Sequence, residues 1–211
     1  MRPELRIQAT GVALAAWMGL GYAHAAVTEA SQVRSYVFGQ ESRLAYQVTH
    51  PLHTSVGVSR QLRGEVTVLE GTEGRLEVPL TLQVPVRSFR SGNRSRDRNM
   101  ALVLDAEHHP WVRLTLDRID WTSRKPGVAG LELSGEGFGK LNLKGVSRPV
   151  SVALSGVLGT EILVVSGHLT FSLEAHGVER PSLMLRPIDD AVVLDIAATA
   201  SVRTPERRSA S

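Results

Sequence analysis

From Leu76 to Val86 every even position is apolar (Leu76, Val78, Leu80, Leu82, Val84, Val86), while the odd positions carry Glu77, Pro79, Thr81, Gln83 and Pro85. Successive side chains leave an extended strand on opposite sides, so a period of two puts one face on a core and the other in water. Burying six such side chains contributes roughly 9–18 kcal/mol gross, before conformational entropy is set against it. Pro79 and Pro85 have no N–H to give to a ladder, which predicts that this strand runs at an edge, a bulge or a poorly closed seam.

The same period recurs along the chain. Leu62, Gly64, Val66 and Val68 alternate with Arg63, Glu65 and Thr67; Val112, Leu114 and Leu116 with Arg113, Thr115 and Asp117; Val150, Val152 and Leu154 with Ser151 and Ala153. Leu163, Val165, Gly167, Leu169 and Phe171 share one face, and Val192, Leu194, Ile196 and Ala198 share another. A less regular pair runs over Val33–Phe38 and Leu44–Val48. With turn-like segments between them, about eight strands are expected, the spacing of an all-β antiparallel sandwich or barrel. One segment departs from this period. Met100, Val103 and Leu104 stand at helical spacing, with Ser95 as an N-cap and Pro110 as a stop, so a single short helix over about 96–108 should cap one end of the sheet.

The strand from Leu131 to Leu143 places Gly135, Gly137 and Gly139 in succession on its inward face. Glycine there either lets a long strand bend at a barrel corner or leaves the interior unfilled, and the two are compatible. The inward side chains Val66, Val68, Leu80, Leu82, Leu114, Leu116, Leu133, Leu141, Val152, Leu154, Leu169 and Leu194, with Phe171 as the one inward aromatic, can line a site for an apolar chain or fill a packed core.

The first 25 residues read differently. Arg2 and Arg6 precede an uncharged, mostly apolar run from Gly11 to Tyr22, and Ala23-His24-Ala25 supplies small residues at the positions a signal peptidase needs. This is the layout of a cleaved signal peptide, too short in its apolar part to span roughly 30 Å of hydrocarbon. A domain over 26–202 and a polar, flexible tail over 203–211 are expected to follow. Cysteine is absent, which excludes thiolate nucleophiles and Cys-based metal sites and suits a periplasmic location. A formal net charge of only +3 and 5% aromatic residues argue against nucleic acid as a partner.

Arg87, Arg90, Arg94, Arg96 and Arg98 cluster around the expected helix start, opposed only by Asp97. Guanidinium groups beside a helix N-terminus suit a phosphate head group, for which Arg94, Arg96 and Arg98 are the candidates. The alternative is a solvated loop in which Asp97 caps the helix and pairs with one arginine. His50 and His53, three apart around Pro51, are expected to diverge, as are His108 and His109; no H-E-x-x-H pattern is present, so these are read as surface or turn residues and not as metal ligands. There is no G-x-S-x-G elbow, and Asp189-Asp190 is read as a turn, so neither catalysis nor a cofactor is expected.

Several blocks resemble the YceI-like family: Tyr46–His53, Ser91–Met100, Ala106–Pro110, Gly139–Val150, and Gly177–Leu183 followed by Asp189-Asp190. They occur in the family's order over nearly the whole chain after the leader, and the block Gly139–Val150 is the most specific, with Arg96-Asp97 before a short helix next. Asn99 and Met100 after the Arg96-Asp97 pair, and the lack of Phe in Ala101–His109, set the chain apart from many members. The resemblance implies a periplasmic, lipocalin-like, eight-stranded barrel that holds a polyisoprenoid or other long-chain lipid. A filled-core barrel acting through its surface as an envelope stress or interaction protein is the alternative. The protein partners such a reading allows are a membrane protein that loads the lipid and a second copy in a homodimer.

Overall fold

The computed structural model describes residues 32–70, 75–76, 80–183 and 186–203. The expected leader, Pro79 and residues 204–211 of the expected tail lie outside the described residues. In chain order the elements are β1 (Gln32–Phe38), β2 (Arg43–His50), β3 (His53–Ser59), β4 (Arg63–Glu70), β5 (Arg75–Leu76), β6 (Leu80–Pro85), α1 (Arg94–Val103), β7 (Trp111–Gly127), β8 (Gly130–Leu143), β9 (Val146–Leu158), β10 (Ile162–Ser172), β11 (Ser182–Leu183), β12 (Arg186–Pro187) and β13 (Ala191–Val202).

The sheet closes into an eight-stranded antiparallel barrel. Its ladder runs β1-β4-β6-β7-β8-β9-β10-β13 and returns to β1 through Tyr36–Val202, Val37–Ser201 and Phe38–Ala200. The first half of β13 pairs instead with β2, from Val192–Val48 to Ala197–Arg43. β1 and β2 therefore share one barrel position end to end. At the break the buried Ser42 hydroxyl donates to Thr199 O at 3.1 Å and accepts from Thr199 N–H at 3.0 Å, completing the β13 ladder with a side chain. β3 continues the position of β4 in the same way: Val58 and Arg90 exchange backbone hydrogen bonds of 2.9 Å just beyond β6.

The period-two reading holds through the barrel wall. Leu80, Leu82 and Val84, and Val112, Leu114 and Leu116, are buried, as are Val192, Leu194, Ile196, Ala198 and Ala200. β6 is not an edge strand; β7 pairs along its length and β4 over Arg63–Glu65, a short seam. The outer face carries Arg113, Asp117, Arg118, Asp120, Glu132, Glu136 and Lys140, all exposed. An apolar interior and a charged exterior are the reverse of a membrane-spanning barrel. The aromatic reading needs correction, because Phe171 is not the one inward aromatic. Tyr36 and Phe38 are buried as well. In β1, apolar side chains occupy both faces, and the closing pairs with β13 turn the aromatic face inward.

The glycine-rich strand is a bend. β7 is irregular between Leu116 and Arg118 and again between Trp121 and Ser123, and Gly139 and Gly135 stand opposite Leu116 and Trp121. A Cβ at Gly139 would lie 1.9 Å from Thr115 O, and one at Gly135 would lie 2.4 Å from Asp120 O. Gly137 points inward onto methyl groups of Leu116 and Leu154, which fill the space beside it. β-Bulges facing glycines are the usual device for curving a long hairpin into a barrel.

The helix is shorter and starts earlier than its sequence suggests. Asn93, not Ser95, is the N-cap, its Oδ1 accepting from Ser95 N–H at 3.0 Å and Arg96 N–H at 3.1 Å. The helix stops at Val103 because Asp105 takes a left-handed conformation (φ 51°) and Ala106 N–H returns to Ala101 O at 2.8 Å, well before Pro110.

Candidate functional site

Among the described residues the barrel interior is packed away from α1 and hollow beneath it. A cavity of about 400 Å³ lies beneath α1, within the range of roughly 300–1,000 Å³ usual for ligand sites. Its walls are Met100, Val103 and Leu104 from the helix and its cap, Tyr46 and Val48 from β2, Phe89, Leu143 from the end of β8, Phe171, and Leu173, Val178, Pro181 and Ile188 from the connection between β10 and β13. Val112, Val192 and Leu194 complete it from the barrel wall. Among the described residues, no group of three His, Asp or Glu side chains stands close enough to hold a metal ion.

The side chains expected to line the interior divide between cavity and core. Phe171 and Leu194 reach the cavity. Leu82, Leu114, Leu141 and Leu169 surround a gap of about 10 Å³ beneath it, with Leu194 above them. Val66, Leu80, Leu133 and Leu154 surround a gap of about 30 Å³ toward the other end, and Val68, Leu116 and Val152 are fully buried. An eight-stranded barrel is just wide enough for side chains to fill, and over most of its length these do so.

The connection after β10 is pinned to the barrel. His176 is buried, with Nδ1 2.8 Å from Ser172 O and Nε2 3.1 Å from Leu141 O, and its ring stands edge-on to Phe171 at 5.4 Å. Asp189 N–H donates to Thr49 O at 2.8 Å, and Arg180 pairs with Glu174 at 2.7 Å. The Asp190 carboxyl is held below its ordinary range, first by the Glu174 N–H that donates to it at 2.8 Å, then by Ser172.

His50 and His53 do not diverge. The two-residue turn at Pro51-Leu52 folds β3 back on β2, so residues three apart become cross-strand partners with ring centroids 5.6 Å apart. His50 is buried rather than on the surface. Its Nδ1 accepts from Leu52 N–H at 3.2 Å, which leaves Nε2–H to donate to Arg186 O at 3.2 Å. Both histidines line the cavity.

The arginine cluster also divides. Arg94 and Arg98 are exposed and stand outside the lining, whereas Arg96 is half-buried and faces the cavity. Arg96 donates from Nε to Ser91 Oγ at 3.0 Å, from Nη2 to Ser91 O at 3.3 Å and from Nη1 to Ser55 Oγ. Asp97 does not cap the helix; its Oδ1 accepts from Ser91 Oγ–H at 2.5 Å and Ser91 N–H at 3.0 Å. Ser91 thus couples the guanidinium to the carboxylate at the rim. The Tyr46 phenol beside them is held above its ordinary pKa, first by burial and then by the Asp97 charge, with Arg96 and a hydrogen bond to Ser91 opposing. The rim is a set of paired polar groups around an apolar hole, an arrangement that orients a ligand's polar end while its apolar part is buried.

Sequence reasoning missed Tyr46, Phe89, Leu173, Val178 and Ile188. Outside the strands only the helical stripe of Met100, Val103 and Leu104 carried a periodic signal; Tyr46 lies within the less regular β2, and the other four sit in connections between strands and helices, where no period operates.

A family model described as a YceI-like domain matches residues 35–200. No curated protein gives a significant match. Among solved structures the chain is similar to BcnA of Burkholderia cenocepacia, at 17% identity over 76% of this chain and 97% of that one, with a TM-score of 0.59. It is similar at 14% identity to a polyisoprenoid binding domain from Saccharophagus degradans implicated in plant cell wall breakdown, over 82% of this chain and 100% of that one, TM-score 0.64. A YCEI protein of Campylobacter jejuni matches at 14% identity over 70% and 84%, TM-score 0.52. At these identities the structural likeness speaks for the fold.

Proposed function

The chain belongs to the YceI-like family, and from that premise we propose that it is an exported, periplasmic, non-enzymatic binding or carrier protein that holds the apolar chain of a lipid, a polyisoprenoid or another, in the hollow end of its barrel. The observation that carries this reading is the 400 Å³ apolar cavity, set above a layer of described side chains that closes to a gap of about 10 Å³. The neighbour named as a polyisoprenoid binding domain supports a lipid as the occupant, and the leader-like pattern of Arg2, Arg6 and Gly11–Tyr22 supports export.

Retention of a chain needs shape and apolar area rather than reactive groups. Each buried methylene is worth about 0.8 kcal/mol, so ten to fifteen of them contribute about 8–12 kcal/mol, comparable with the roughly 4–15 kcal/mol that association costs. Phe171 and Leu194 are the binding residues carried over from the sequence, joined by Val48, Met100, Val103 and Ile188. Arg96, with Ser55 and His50, would meet the polar end. A loading partner in the membrane and a second copy of the chain are the protein partners consistent with this role.

The test is native mass spectrometry of the protein purified from its own envelope fraction, followed by lipid extraction. An adduct that extracts as an acyl or polyprenyl chain is expected. A clean apo mass, unchanged after incubation with fatty acids and polyprenols, would favour the interaction-protein alternative instead.

A further inference from the structure

The cavity ends on Val112 and Leu194, the two side chains that face both the 400 Å³ space and the layer below it. Under them Leu82, Leu114, Leu141 and Leu169 close the barrel to a gap of about 10 Å³, room for no more than one water molecule. Protein interiors are close-packed, and a chain cannot pass this layer without displacing leucines held on every side by a closed ladder. Building on the binding role proposed above, we propose that the leucine layer is a floor that sets ligand length. With the ~30 Å³ that a water molecule takes in the liquid as the scale for a methylene, the space above the floor suits on the order of ten to fifteen carbons. The matching ligand class is a single alkyl or acyl chain of medium length, or two to three prenyl units. A longer polyisoprenoid leaves its remaining units outside the barrel, past α1.

The test uses the chain from Ala26 onward and two probe series: straight-chain primary alcohols of increasing length and prenols of increasing unit number, each titrated by displacement of a fluorescent apolar dye. Affinity should rise about fourfold per added carbon and stop rising at about ten to fifteen carbons, or at the third prenyl unit. Val112→Ala and Leu194→Ala each remove part of the floor and should move the stopping point outward by about two or three carbons. Val112→Ala is the smaller change and serves if Leu194→Ala does not fold. Affinity that keeps climbing past twenty carbons in the unaltered protein, or a stopping point that neither variant moves, overturns the floor and leaves chain binding intact. Failure of every chain to bind overturns the binding role as well.

Discussion

The ring of Tyr46 lies over Gly57, its partner across the β2–β3 ladder: a Cβ on Gly57 would stand 2.3 Å from Tyr46 Cε1. An aromatic ring laid over a glycine restores the packing that the missing side chain gives up. Here it also directs the phenol toward Ser91 at the rim and sets the ring edge-on to Phe89, with centroids 5.4 Å apart. One residue without a side chain thus positions both the apolar wall and the polar rim of the cavity.

Gly57→Val should therefore act on binding as well as on stability. Expelling the ring from its slot is an overpacking change, expected to cost about 1–3 kcal/mol in a urea titration. Chain affinity should fall with it, because Tyr46 then occupies the cavity. Stability lost with affinity unchanged would separate the Tyr46–Gly57 pair from the site.

The arginine cluster predicts a division of labour. Replacing exposed Arg94 and Arg98 together by Gln should leave stability within about 0.5 kcal/mol and leave affinity for a prenyl phosphate unaltered. Arg96→Leu removes the donor shared by Ser55 and Ser91 and leaves Asp97 without its nearby cation. A loss of about 1.5–3 kcal/mol is expected, the worth of hydrogen bonds to a charged group. Weaker phosphate binding in the Arg94/Arg98 variant would move the head-group site out to the exposed face of the helix.

How much of this molecule could be read from its sequence depends on whether a period was available to read. Where both faces of a strand had a settled fate, as in Leu80–Leu82–Val84 against Thr81–Gln83, alternation identified the buried face. β1 has apolar residues on both faces, Val37 on one and Tyr36 and Phe38 on the other, and only its closure with β13 decides between them. Asn93 and Ser95 are equally good caps in isolation; Asn93 prevails in a segment where Asp97 is tied back to Ser91. The hollow end escaped prediction for a related reason. The inward leucines of the wall strands look alike in sequence, and whether one lines a cavity or fills a core depends on which end of the barrel the helix and the Leu173–Asp190 connection hold open.

That connection should loosen first in acid. A carboxyl held below its ordinary value, near 3.8 for Asp190, contributes stability that is fully present above that value and is lost as pH falls through the lowered one. Asp190→Asn keeps the shape and removes the charge. The variant should be less stable than the parent at pH 6, and the two urea midpoints should converge as pH drops below the ordinary carboxylate range. A difference that persisted unchanged to pH 2 would show that Asp190 acts through its shape and not through its ionisation.

The bend in β8 gives the sharpest contrast. A methyl group at Gly139 would run into Thr115 O at 1.9 Å and Leu116 Cα at 2.7 Å, both backbone atoms locked in the β7–β8 ladder at a bulge. At Gly137 it would meet Leu116 Cδ1 at 2.8 Å and Leu154 Cδ1 at 3.0 Å, the ends of side chains that can turn away. Gly137→Ala should therefore cost about 1–3 kcal/mol, the usual penalty of overfilling a packed core. Gly139→Ala should cost more, because relief requires the strands to separate where the barrel curves. Comparing the two by thermal unfolding tests whether these glycines serve curvature or interior space. If Gly137→Ala were the more damaging, packing against Leu116 and Leu154, and not the backbone approach at the bulge, would be what requires the glycines.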